Sequence, residues 1–353
     1  FIIMCAIIEK IQKEVPIMST NENKDKKAEV TALQAISAED RKDWISLAFV
    51  QAGICVCVPA FLLGALLAEA MPIWPAIISG SLGYLIVVVG MVATGMIGCD
   101  LGLASCTCCQ AGFGKSGARF IVSTIFAVNM IGWFGIQNGV CGEAFSNAML
   151  AMTGWDIPVV VSNTIWGIIM LLTAVYGVHA LEKLDKISIP LLMIIMCYGT
   201  FLAFKVYGTG NLNDEGTVQS MSFMSGVALS FNFTAVGTIT GPDYTRFQKS
   251  RKDTVKSVFY GVFPMGVITL IMGIVLTKLS GQYDISMVLI EVGLPLLGII
   301  ALVISTWTTN STNAYSAGLN IVMALKLKDN RRREATLISG IVGIVLCDLG
   351  ILG

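Results

Sequence analysis

The sequence predicts an all-α, polytopic membrane protein, and three observations predict it. Only 13% of its 353 residues are charged while 55% are hydrophobic, against roughly 25% charged in soluble domains. Nine apolar segments follow one another with short polar connections, most of them near or above the roughly 20 residues that carry a helix across the hydrocarbon. Lysine and arginine are sorted between the two sets of connections. Of the 23, 21 fall on the side of the N-terminal tail, and Lys205 and Lys278 alone on the other. This sorting places the N-terminus in the cytoplasm. It also supports the count of nine, because one span too many or too few would mix the two sides. Helices are expected because lipid satisfies no open backbone group.

The spans are expected at 44–68, 73–97, 118–141, 157–178, 187–206, 218–240, 255–279, 294–325 and 335–353. A cytoplasmic tail, 1–43, precedes them. Met18 in "MSTNENKDKK" is its expected start, which makes 1–17 upstream, non-native sequence. The apolar run before it is short and lacks the small-residue cleavage site of a signal peptide.

Span 1 reads "FVQAGICVCVPAFLLGALL", with Gly53 and Pro59 six residues apart in its middle. Proline removes a backbone donor and clashes with the preceding turn, which frees carbonyls. Span 6, "GVALSFNFTAVGTITGP", carries Asn232, Gly237 and Gly241-Pro242. Spans 1 and 6 are therefore expected to be broken, five spans apart. Discontinuous helices in corresponding positions point to a transporter binding site, although glycine and proline are common in membrane helices anyway.

Span 8 contains "STWTTNSTN", eight polar residues in nine positions. Residues three and four apart share a helix face, so Ser305, Thr308, Thr309 and Thr312 form one stripe. Freed carbonyls from Gly53 to Val56, facing hydroxyls of Ser305, Thr308 and Thr309, would replace the water around Na+. Hydroxyls also bond back to their own helix or join helices, which accounts for two or three of them rather than eight.

Span 3 offers "NMIGWFGIQNG". Trp133 and Gln137 lie one turn apart and face the same way. An indole gives a flat apolar surface, and a carboxamide both donates and accepts. With Asn232 and Asn310 they suit a flat, uncharged ring with amide-like edges. Glu143, near the outer end of the span, is read as the one carboxylate close to a span interior, either interfacial or a proton site. The "CTCC" stretch gives Cys106, Cys108 and Cys109 with Cys99 nearby, but the single histidine, His179, is on another loop. Zinc ligation is therefore not expected of these cysteines, nor disulfides in a cytoplasmic stretch, and the other cysteines are expected as apolar fillers. Asp243 and Arg246, in "PDYTRF", are read as a local ion pair or helix anchor at the cytoplasmic mouth, exposed and contributing little stability. With one histidine and no nucleophile–base set, the residues do not suggest an enzyme, and no repeated pore motif suggests a channel.

"GWFGIQ" in span 3, "GTITGPDYTRF" closing span 6 and "ISTWTTNSTNAYSAGL" in span 8 resemble the nucleobase–cation symporters, the purine/cytosine permease group. The resemblance runs from about Asp43 to the end. It implies a leucine-transporter-like fold of inverted five-helix repeats with about twelve spans. The sequence given would then hold about nine of them, with a transporter domain, 44–353, short of its last spans. The resemblance implies a base stacked on Trp133 and an aromatic of span 6, either Phe231 or Phe233, with Phe233 preferred alongside Asn232. Gln137 and Asn310 would bond the base, and Na+ would sit among Gly53, Val56, Ser305, Thr308 and Thr309. There are departures from the cytosine branch. Met130 stands where that branch has a glutamine, Gln137 matches the hydantoin branch, and Ser305 replaces an asparagine.

The expectation is a secondary active transporter in the cell membrane. It would import a nucleobase, cytosine first, by symport with Na+ as coupling ion and no cofactor. Its partners would be the small base and the lipid bilayer, with no nucleic acid and a monomeric chain. The alternatives are a proton-coupled relative or another flat ring: a purine, uracil, hydantoin or allantoin.

Overall fold

The computed structural model describes residues 32–213, 221–282 and 285–351. The expected native start at Met18 and the upstream 1–17 lie outside them. Span 1 is two helices, α1 (Trp44–Cys55) and α2 (Val58–Ala70), bent by 52°. The break falls at Val56 (φ −89°, ψ 73°) and Cys57 (φ −141°, ψ 160°). Pro59 is in the first turn of α2, where its missing N–H leaves no helical bond unmade. Then come α3 (Ile73–Leu101), α4 (Thr124–Thr153), α5 (Val159–Tyr176) and α6 (Val178–Tyr207). Gly102 (φ 67°) closes α3 and Gly154 (φ 75°) closes α4, the left-handed stop that glycine adopts without penalty.

The second expected break is slight. α7 (Phe223–Thr234) and α8 (Val236–Thr245) meet at Ala235, which keeps helical angles (φ −56°, ψ −31°). Together they run as one apolar span. Pro242 lies inside α8 without ending it. Proline deprives the carbonyl four residues back of its donor, and here the Thr94 hydroxyl of α3 donates to that Thr238 carbonyl at 2.6 Å. A neighbouring helix thus supplies the bond that the proline removed.

α9 (Arg251–Ser280), α10 (Ile285–Glu291), α11 (Pro295–Ala324) and α12 (Arg332–Asp348) complete the described chain. Among the described residues six helices are long and apolar enough to cross a membrane, or seven with α1 and α2 as one bent span. α12 falls short at 17 residues, and α11 does so because its polar run lowers its hydropathy. The protein is therefore all-helical with several apolar spans, and the nine-span count stays an expectation.

The helices sort into two groups. α2, α3, α7, α8 and α9 pack on one another around Leu63, Leu67, Tyr84, Leu270 and Ile274. α4, α5, α11 and α12 pack around Phe134, Met170, Tyr315 and Ile344. α6 touches both, through α9 of the first and α5 and α11 of the second, and also packs on α1. Inside the first group α2 and α9 meet backbone to backbone. A Cβ on Gly64 would lie 2.6 Å from the Leu270 carbonyl, and one on Gly273 2.6 Å from that of Phe61. Such small-residue contacts are how membrane helices pack closely. Ile86, Val89, Ile165, Ile194 and Ile338 point outward and are exposed, as lipid-facing residues would be.

The described end of the tail is part of the body rather than a loose arm. The Ala32 and Leu33 amides donate to Asp329 Oδ1 at 3.0 and 2.5 Å. The Ile36 amide donates to the Gly102 carbonyl, and that of Lys42 to Phe247.

Candidate functional site

The hydroxyls of α11 face protein. Ser305, Thr306, Thr308, Thr309, Asn310, Ser311 and Thr312 are all buried. The break in span 1 explains where two of them point. In a continuing helix Cys57 would donate to the Gly53 carbonyl, but Cys57 is extended. Thr309 donates to that carbonyl instead, at 2.8 Å, and Thr308 approaches it at 3.4 Å. A carbonyl and two hydroxyls thus converge between α1 and α11, beside the non-helical Val56. Ser305 does not join them: its hydroxyl donates to Leu302 of its own helix at 3.0 Å. Its carbonyl serves as the back-bonding acceptor for Thr308 and Thr309.

Beside this cluster lies a cavity of about 820 Å³, counted out to its mouth. Trp133 and Gln137 of α4 line it with Phe233 of α7. The rings of Trp133 and Phe233 stand 6.2 Å apart, edge to face. Phe231 is not among the lining residues. Gln137 is buried and its Oε1 has no hydrogen-bond partner among the described residues. Thr309 lines the same cavity, so one residue borders the ring space and the freed carbonyl.

Two expected ligands are elsewhere. Asn232 is exposed and outside the cavity. Successive residues on a helix are about 100° apart, so Asn232 turns away when its neighbour Phe233 turns in. Asn310 is fully buried between helices, its amide donating to the Phe134 carbonyl at 2.9 Å. Asn313, one turn on, lines the cavity in its place and donates to Asn310 Oδ1 at 3.3 Å.

Sequence reading missed Gln51 and Tyr84. Both line the cavity, and Gln51 Oε1 and the Tyr84 hydroxyl lack partners among the described residues. A polar glutamine two residues before Gly53 was the available signal for one; Tyr84, amid aliphatic residues in span 2, gave none. Their unpaired groups, with that of Gln137, suit a ligand that both donates and accepts, since buried polar groups left unpaired are costly.

Two other expectations change. Asp243 and Arg246 are fully buried, not exposed. Asp243 accepts from the Ser105 amide at 2.8 Å and the Ser316 hydroxyl at 3.0 Å. Arg246 donates to the Ala32 carbonyl at 2.9 Å and the Tyr315 hydroxyl at 2.7 Å. The pair therefore ties α8 to α11, the tail and the segment after α3. Glu143 is exposed on α4. It is also not the carboxylate of the interior: Asp185 of α6 is fully buried. Finally, burial pushes the Cys106 thiol up to about 12 and that of Cys109 up to about 11. Both thiols are then protonated at neutral pH.

Comparison with known proteins gives the geometry a family. The cytosine permease of Escherichia coli K12 is 28% identical over 309 residues, covering 86% of this chain and 71% of that protein. The purine-uracil permease NCS1 of Arabidopsis thaliana is 25% identical over 86% of this chain and 55% of its own length. The allantoin permease of Bacillus subtilis is 23% identical over 84% and 67%. Among solved structures, Mhp1, a nucleobase-cation-symport-1 family transporter in a closed conformation with bromovinylhydantoin bound, superposes with a TM-score of 0.79 at 17% identity. It covers 93% of this chain and 75% of Mhp1. A Na+-coupled sialic acid symporter superposes at 0.61 and 12% identity, over 98% and 78%. These likenesses show the shared fold. Residues 36–353 match the sequence profile of one family, and the chain belongs to it: the multi-pass membrane permeases for cytosine/purines, uracil, thiamine and allantoin.

Proposed function

We propose that this permease imports a nucleobase, cytosine first, by symport with Na+ through alternating access. One observation carries the reading: Thr309 lines the ring-sized cavity and also bonds the carbonyl freed at the break of span 1. In this reading Trp133 and Phe233 flank the ring, and Gln137 and Asn313 meet its polar edge, with Gln51 and Tyr84 as further partners. Na+ takes the Gly53 and Val56 carbonyls and the hydroxyls of Thr308 and Thr309. Ser305 would contribute by turning its hydroxyl away from Leu302.

The mechanism follows from that shared wall. Na+ on the Gly53 carbonyl draws Thr309 into its coordination and fixes one side of the cavity. The base then completes the other side, and the first helix group moves against the second. Sodium raises base affinity, and the base must raise sodium affinity by the same factor. The related permeases named for cytosine, purine, uracil and allantoin support a flat ring, and the Na+-coupled neighbour supports the ion. Uptake of labelled cytosine into proteoliposomes, with and without a sodium gradient, tests it. Adenine, uracil, hydantoin and allantoin serve as competitors. Sodium-driven uptake blocked by unlabelled cytosine is expected. Uptake of a competitor instead would move the substrate, and uptake driven only by a proton gradient would overturn the ion.

A further inference from the structure

The buried stripe of α6 runs Leu181, Asp185, Ser188, Ile189, Leu192, the period of a helix face turned to a core. Four of these positions hold what such a face needs. Asp185 does not. It is fully buried, and neither carboxyl oxygen has a hydrogen-bond partner among the described residues. The neighbouring lysines do not reach it: Lys183 is exposed, Lys186 donates to Glu182 and Ser46, and Lys42 pairs with Glu182. An unpaired carboxylate in such a place is strongly destabilising. A protein keeps one there when something completes it.

What faces Asp185 is Gly53. A Cβ built on Gly53 would lie 2.7 Å from Asp185 Oδ1 and 3.2 Å from Oδ2, so the carboxyl rests against the bare α-carbon of the residue whose carbonyl was freed by the break. Glycine is required there because any side chain would occupy the space of the carboxyl. The oxygens proposed for Na+ are all neutral, and the one unpaired buried carboxyl beside them brings the missing charge. Protonation would remove the charge, but the new O–H would need an acceptor of its own in the buried site.

We propose that Asp185 is the counter-charge of the coupling cation, holding a monovalent ion against the Gly53 carbonyl and the hydroxyls of Thr308 and Thr309. The proposal rests on the symport reading above and deepens its ion site. The Asp185–Na+ pair is then electrically neutral and buried when occupied, and a lone buried anion when vacant, so ion loss disfavours this arrangement of α1, α6 and α11. Ion occupancy and helix arrangement become one equilibrium.

The test is sodium binding to purified, full-length protein, read as the sodium-dependent rise in thermal unfolding temperature and as the sodium concentration that half-saturates uptake. Wild type is expected to show a saturable response. Asp185→Asn keeps the shape and removes the charge; it should fold, bind sodium at least about tenfold more weakly, and retain base affinity at saturating sodium. Gly53→Ala displaces the carboxyl while leaving it in the chain and should weaken sodium in the same direction, which keeps the test open if the first variant folds poorly. A wild type with no sodium response overturns the symport reading and this proposal with it. A sodium response in wild type that Asp185→Asn leaves unchanged overturns the proposal alone.

Discussion

Among the described residues two aspartates are fully buried, Asp185 and Asp243, and they could hardly be treated more differently. Asp243 is met on both oxygens, by a backbone amide and a hydroxyl, within reach of a buried arginine that ties down the tail and α11. Asp185 has no hydrogen-bond partner on either oxygen among the described residues and packs beside Gly53. A satisfied buried charge fixes an arrangement, because removing one partner strands the others. An unsatisfied one leaves an arrangement dependent on what arrives. The difference separates a joint built to hold one state from a site built to be filled.

That contrast is broken or sharpened by mutation. The largest effect is expected from Asp243→Ala, which strands the Ser105 amide and leaves Arg246 without its nearby carboxylate. Stability should fall by about 3–5 kcal/mol, read as early thermal unfolding in detergent. Asp185→Asn should leave unfolding without sodium unchanged or raised. Equal losses in the two variants would erase the distinction. Next comes Trp133→Ala, which takes an aromatic wall from the cavity. Base binding should weaken by about tenfold or more, as a lost stacking contact with its buried area implies, while sodium stabilisation persists; isothermal titration reads both. Thr309→Ala removes the 2.8 Å contact to Gly53 and should weaken sodium by about 1 kcal/mol, the ordinary contribution of a hydrogen bond. Thr308→Ala, at 3.4 Å, should weaken it less, and a reversed order in sodium titration would show that the distances misplace the ion. The smallest difference is between two amides. Asn313→Ala should lower base affinity a few-fold, as loss of one hydrogen bond would, while Asn232→Ala should leave competition uptake untouched.

Much of this was legible in the sequence. The apolar segments, the break between Gly53 and Pro59 and the pairing of Trp133 with Gln137 follow from spacing and backbone chemistry. What escaped was local direction. Asn232 adjoins Phe233, and spacing alone does not say which of the two the helix turns to the cavity; it turns Phe233 in and leaves Asn232 exposed. Asn310 and Asn313 are a turn apart, and composition alone does not say which amide meets a neighbouring carbonyl. Ser305 shares a face with Thr309, yet a serine hydroxyl can turn to its own helix, and here it does. Asp185 was hidden by Lys183 and Lys186, which made its surroundings read as a loop. The structure starts α6 at Val178 and turns both lysines out. The period from Leu181 to Leu192 carried the signal, masked by the charges between.

The backbone contact between α2 and α9 has a consequence for what the gene can tolerate. An outward residue such as Val89 can drift among apolar types, because lipid accepts any of them. Gly64 and Gly273 have no such latitude, since the first added methyl would lie 2.6 Å from a carbonyl oxygen. Sequence change is therefore channelled to the lipid face and the cavity wall. A chain under that constraint keeps its shape at 17% identity with Mhp1.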